Sequence, residues 1–205
     1  KVPAEKLADL HPSDIAEIIS DLSRTEHSDL LHKLNIKQLA DTLEEVEPDF
    51  QTSILNHFSD EVVADVLEEM SPDEATDLLA ELSDERRQGL LKLMETEEAD
   101  EVRELLRYEE DTAGGLMTTE YVSVLPDMTA SQTIEHLRKV GEEAELVYYV
   151  YVTDAEEHLI GVFSLSDLII AQPETPITEF MHKRVVSVEL DTEQDEIAQI
   201  VAKYN

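Results

Sequence analysis

Apolar residues return every twelve positions through the first half of the chain. Laid out from His11, the segments HPSDIAEIISDL, SRTEHSDLLHKL, NIKQLADTLEEV, EPDFQTSILNHF, SDEVVADVLEEM, SPDEATDLLAEL, SDERRQGLLKLM and ETEEADEVRELL all end on an apolar residue: Leu22, Leu34, Val46, Phe58, Met70, Leu82, Met94 and Leu106. Position nine is Ile19, Leu31, Leu43, Leu55, Leu67, Leu79 or Leu91 in all but the last segment. Positions nine and twelve therefore make an i, i+3 apolar edge on each of a series of short helices. Ser13, Ser59, Ser71 and Ser83 suit N-caps, and Pro12 and Pro72 suit first turns. A unit this short cannot bury its apolar edge alone, so the pattern predicts a small α-solenoid of stacked hairpins with a true repeat of roughly 24 residues.

The rhythm stops at YEEDTAGGLMT, where Gly114 and Gly115 are expected to halt the helix and permit a backbone turn. Beyond it the period changes. Tyr121 to Leu125 reads as a strand, Ser131 to Val140 as a helix, Leu146 to Val152 as a buried strand and Asp154 to His158 as a polar turn. Leu159 to Phe163 reads as a further strand, and Asp167 to Ala171 lies on a helix that Pro173 closes. This β-α-β-β-α module starts again at ITEFMHKRVVSVELDTEQDEIAQIVAKYN, which breaks off after one strand and one helix. The expected organisation is multidomain: an all-α superhelical repeat domain over 1–107, a junction over 108–118, a complete α+β module over 119–175 and the start of a second over 176–205.

Charge then narrows the function. The 205 residues hold 49 Asp and Glu against 15 Lys and Arg, a formal net charge of −34. A nucleic-acid partner is excluded by that sign, because phosphate binding needs a basic stripe that can release counterions. No Cys is present, so thiolate metal sites and disulfides drop out. The longest apolar run, Leu146 to Val152, is far below the ~20 residues of a membrane-spanning helix. With no initiator Met, the chain is expected to be a piece of something longer.

Between Lys37 and Arg86, 48 residues carry 16 acids and no Lys or Arg. Such one-signed charge on packed helices is repulsive. Either the acids form a solvated face, or they await a cation. Asp73 and Asp77 lie four apart on one helix face, and Asp41 holds the slot of the third segment that Asp77 holds in the sixth. Carboxylates without His or Cys select hard cations, and a few of them with retained waters suit Mg²⁺. No EF-hand pattern is present, and neither is a P-loop, HExxH motif or Gly-rich dinucleotide turn, so an enzyme is not expected.

The segment from Tyr149 to Asp167, ending GVFSLSD, resembles the CBS (cystathionine-β-synthase-type) motif. HPSDIAEI, YEEDTAGGLMT and the CBS pair taken together resemble the MgtE magnesium transporters over essentially the whole chain. That resemblance implies a non-enzymatic Mg²⁺ sensor on the cytoplasmic side of the cell membrane, homodimeric through its CBS domains, acting on its own transmembrane domain. Metal ions would bridge the helical and CBS domains and favour a closed state. The matching metal positions are Asp41, Asp73 and Asp77, with Glu193, Asp195, the carbonyl of Ala202 and the side chain of Asn205 from the second CBS. For ATP or another adenine nucleotide the resemblance points to Tyr149, Asp167 and Val186, although Asp167 can equally cap its helix. Two rival readings are a nucleotide-sensing CBS module and a helical protein-docking scaffold.

Overall fold

The computed structural model describes residues 10–22, 30–140 and 148–204. In chain order its elements are α1 (Pro12–Asp21), α2 (Ile36–Glu44), α3 (Pro48–Leu55), α4 (Asp60–Glu69), α5 (Pro72–Ala80), α6 (Asp84–Leu90), α7 (Thr96–Leu105) and α8 (Ala113–Leu116). There follow β1 (Ser123–Val124), α9 (Ala130–Val140), β2 (Tyr149–Thr153), β3 (Leu159–Ser164), α10 (Leu165–Ile170), α11 (Ile177–Phe180) and α12 (Gln194–Tyr204). They divide into two compact units, one of Lys1–Met117 with Leu190–Asn205 and the other of Thr118–Glu189.

In the first unit helices pack on the next but one: α2 on α4, α4 on α6, α3 on α5 and α5 on α7. That alternation is the stacked-hairpin architecture which the twelve-residue rhythm implies. Position nine is buried in each of the first seven segments, with Ile19, Leu31, Leu43, Leu55 and Leu79 fully so. Position twelve lies further out: Val46, Met70, Leu82 and Met94 are buried, while Leu22, Leu34, Phe58 and Leu106 pack partly exposed against the core.

The helix starts only partly follow the expected serines. Ser83 caps α6 by accepting from the Arg86 N–H, whereas Ser13 lies inside α1, whose cap is His11. Ser59 and Ser71 stand at the N-caps of α4 and α5, but their side chains make no capping hydrogen bond. At α5 and α7 a carboxylate from another helix reaches the N-cap instead. Glu44 Oε1 accepts from the Ser71 N–H at 3.0 Å, and Glu68 Oε1 accepts from the Glu95 N–H. Both partners of the second bond lie 24 positions after those of the first, so the contact repeats with the solenoid.

The glycine junction departs from expectation. Gly114 and Gly115 belong to the short helix α8, and neither has a positive φ. A Cβ on Gly115 would lie 2.3 Å from the Glu109 carbonyl oxygen, and one on Gly114 would lie 2.5 Å from the Tyr108 ring. These residues are small because backbone and ring pass too close for a side chain, not because the chain needs a glycine-only turn there. The same stretch grips the approach to α12: the N–H groups of Ala113 and Gly114 donate to the carbonyls of Thr192 and Leu190, both at 2.8 Å.

In the second unit β1 pairs parallel with β2, and β2 pairs antiparallel with β3, in the order β1-β2-β3. Val122, Val124, Val150, Val152, Phe163, Leu168 and Ile177 form its core. β1 is shorter than the expected 121–125, and part of the expected strand at 146–152 lies outside the described residues. The expected strand of the second module does not form over 185–189, because no described neighbour pairs with it. Val186 and Val188 are accordingly exposed, as is Val201 on α12.

Candidate metal centre

Pro72 starts α5 at its first position, so Asp73 falls in the first turn and Asp77 one turn later on the same face. Acids at a helix N-terminus are favoured by the local N–H dipoles. Packing modifies each carboxylate further. Asp73 Oδ1 is shut off from solvent and has no hydrogen-bond partner among the described residues. The Asp77 carboxyl is pushed above the ordinary range, first by burial, then by the Glu110 and Asp73 charges. An orphaned carboxylate oxygen beside a carboxyl that resists ionisation has the electrostatics that a divalent cation relieves. The oxygen-only donor set fits Mg²⁺.

Glu110 is a residue that the sequence reading missed. Its signal was the acidic run just before the glycine pair, but nothing in the local pattern ties it to a helix 33 residues earlier. Through its neighbours it also brings in the start of α12. Asp111 accepts from the Gln194 backbone and side-chain N–H groups, each at 2.9 Å, and Thr112 bridges Glu193 in antiparallel fashion. The start of α12, where Glu193 and Asp195 stand, is therefore held against residues 111–114, directly after Glu110. Asp41 lies one turn before Glu44 on α2, and Glu44 touches Ser71, two residues from Asp73. Ala202 sits exposed in the last turn of α12, remote in sequence from these contacts. Asn205 lies outside the described residues. A further buried acidic oxygen without a partner among the described residues, Glu98 Oε2 on α7, was not singled out from the sequence.

The residues expected to hold a nucleotide all fall in the second unit. Tyr149 pairs with Ser164 across β2 and β3, and Ser164 is the N-cap of α10, three residues before Asp167. Asp167 is already engaged: its Oδ2 accepts from the Ser164 N–H at 2.9 Å and hydroxyl at 2.7 Å, completing a capping box. Those two bonds, with a smaller contribution from His182, hold its carboxyl below the ordinary range. The Tyr149 ring and Val186 are exposed.

Comparison with known proteins agrees with this architecture. Residues 10–111 match the MgtE intracellular N domain and residues 113–174 match the CBS domain. The cytosolic domain of the Mg²⁺ channel MgtE, solved in complex with ATP, superposes with a TM-score of 0.92 at 37% identity, over 98% of this chain and 82% of that one. The soluble part of a magnesium transporter superposes with a TM-score of 0.90, also at 37% identity, over 98% of this chain and 79% of that one. The class is therefore the helical-plus-CBS cytosolic domain of magnesium transport proteins, a non-enzymatic class. Magnesium transporter MgtE of Thermus thermophilus is 50% identical over 105 residues, covering 51% of this chain and 23% of that protein. Its counterpart from Bacillus subtilis is 30% identical over 197 residues, covering 96% of this chain and 44% of that protein. The chain belongs to the MgtE magnesium transporter family. It matches less than half the length of these two relatives, and none of its described helices is long and apolar enough to cross a membrane.

Proposed function

We propose that this chain is the Mg²⁺-sensing regulatory region of a membrane magnesium transporter, lying on the cytoplasmic side. Asp73 and Asp77 would hold Mg²⁺ with Glu110 and the acids that open α12, Glu193 and Asp195, while Asp41 adds charge from α2. The observation that carries this reading is the buried Asp73 Oδ1, unpartnered among the described residues, beside the Asp77 carboxyl that burial and then the Glu110 and Asp73 charges push above the ordinary range. A bound cation turns the repulsion among these carboxylates into attraction, so helical domain and CBS start are drawn together and the closed state is populated.

The ion biases this equilibrium only by its higher affinity for the closed form. Moving a population from 1:99 to 99:1 takes ~5.5 kcal/mol of differential binding, more than one weakly held Mg²⁺ supplies, so several ions per subunit act together. The transporter would work as a homodimer through its CBS domains, with the transmembrane domain as the recipient of the signal. The bounds proposed for the regions are 1–107, 108–118, 119–175 and 176–205. Small-angle scattering of the metal-free chain on adding Mg²⁺ at constant ionic strength tests the switch. The expected result is a fall in radius of gyration that Asp73→Ala/Asp77→Ala abolishes; an equal fall in both proteins, or none in either, rejects it.

A second reading, that the CBS module also takes an adenine nucleotide, is supported by the β2–β3 register that sets Tyr149 beside the start of α10, and by the ATP bound to a structural relative. ATP titration followed by nuclear magnetic resonance should shift Tyr149, Asp167 and Val186; unchanged signals reject it.

A further inference from the structure

The backbone N–H at the N-cap of α5 is held by a residue of another helix. Ser71 occupies that position without a side-chain capping bond, and its own N–H is taken by the carboxylate of Glu44 at the end of α2, 27 residues earlier. In a capping box the acidic side chain that takes the N-cap N–H comes from the third residue of the same helix. Here it comes from a neighbouring layer of the solenoid. The arrangement is built in, because it recurs one repeat later at α7, whose N-cap Glu95 also lacks a side-chain capping bond and donates its N–H to Glu68. The two contacts differ in what the held helix carries. The helix held by Glu44 carries Asp73 and Asp77, whereas the helix held by Glu68 carries none of the proposed ligands.

We propose that Glu44 is a positioning residue of the metal centre: by tying the first turn of α5 to the end of α2 it sets where the Asp73 and Asp77 carboxylates point, acting as a hydrogen-bond acceptor and not as a ligand. The inference rests on the reading of Asp73 and Asp77 as cation carboxylates, and it gives an acid in the positive-charge-free stretch a role other than ligation. Side chains that hold metal ligands in place without touching the metal typically change affinity by tenfold or more when removed.

The test compares Glu44→Ala, Glu44→Gln and Glu68→Ala in the whole chain. In the metal-free protein, amide exchange and backbone nuclear magnetic resonance shifts of Ser71, Asp73 and Asp77 are recorded. Mg²⁺ affinity is then measured by calorimetry. Glu44→Ala should speed exchange at Ser71, move the Asp73 and Asp77 signals and weaken Mg²⁺ binding about tenfold. Glu44→Gln, which keeps the accepting oxygen, should stay within about twofold of the parent chain. Glu68→Ala should lower the melting temperature as much as Glu44→Ala does while leaving Mg²⁺ affinity unchanged. Equal loss of affinity in Glu44→Gln and Glu44→Ala would make Glu44 a ligand and overturn the proposal. Equal loss in Glu68→Ala and Glu44→Ala would reduce it to general destabilisation. If the parent chain bound no Mg²⁺, the reading of the centre would fall, and the metal-free signals would still decide whether Glu44 positions α5.

Discussion

Asp111 and Gln194 are joined twice: the Asp111 carbonyl accepts from the Gln194 backbone N–H and its carboxylate from the Gln194 side-chain amide, both at 2.9 Å. They stand 83 residues apart in the chain, and their pairing seats the start of α12 against the segment that precedes α8. Only the side-chain bond is open to substitution. Asp111→Ala and Gln194→Ala should each cost about 1 kcal/mol in thermal unfolding, and the double variant little more than either alone. Additive losses would show that the two side chains act separately.

The raised Asp77 carboxyl gives a stability prediction whose sign is set by linkage. Because burial, Glu110 and Asp73 make the folded protein hold this proton more tightly than the unfolded chain, the metal-free fold gains stability as pH falls through the folded Asp77 value. Asp77→Asn should remove that acid-side gain and stabilise the metal-free protein at neutral pH. With saturating Mg²⁺ the order should reverse, the parent chain becoming the more stable, because only it keeps the carboxylate that the cation needs. Thermal melts at neutral and mildly acidic pH, with and without Mg²⁺, read both signs.

Gly115 and Gly89 should respond oppositely to alanine. At Gly115 a methyl group would meet the Glu109 carbonyl oxygen at 2.3 Å and the Glu110 carbonyl oxygen at 2.7 Å, neither of which can move without breaking the 108–116 turn. Gly115→Ala should therefore cost about 2–3 kcal/mol. Gly89, in α6, has nothing within 4 Å of an added Cβ, so Gly89→Ala should stabilise by about 0.5–1 kcal/mol through the unfolded chain and helix propensity. Were Gly115→Ala tolerated as easily, the close approach of the Glu109 and Glu110 carbonyls would not be what keeps this residue small.

The contrast between these glycines shows where sequence reasoning reached its limit. Positions nine and twelve were legible because burial repeats with a fixed phase, and Leu43, Leu55 and Leu79 are core residues as the rhythm requires. Asp73 and Asp77 were legible as a pair because helical spacing alone puts them on one face. Glu110, Glu44 and Glu68 were not, since what each does depends on a partner 27 or more residues away. The glycine pair misled for the same reason: a small residue at a close approach and one at a turn leave the same letter in the sequence. The strand expected around Val186 failed because a strand needs a neighbour, and none of the described residues supplies one.

The capping box at the start of α10 separates the structural from the ligand-binding role of Asp167. Ser164→Ala removes the hydroxyl that accepts from the Asp167 N–H and should cost about 1 kcal/mol. The lowered Asp167 carboxyl means that its contribution is present above the unfolded value and is lost as pH falls through the folded one. Asp167→Asn should abolish that acid-side loss, since the amide does not titrate, and amide exchange across 165–170 is the readout. If the same variant also ended the ATP-induced shifts at Tyr149 while Ser164→Ala, with α10 equally loosened, kept them, Asp167 would act on the nucleotide directly. Loss of those shifts in both variants would assign Asp167 to the helix cap alone.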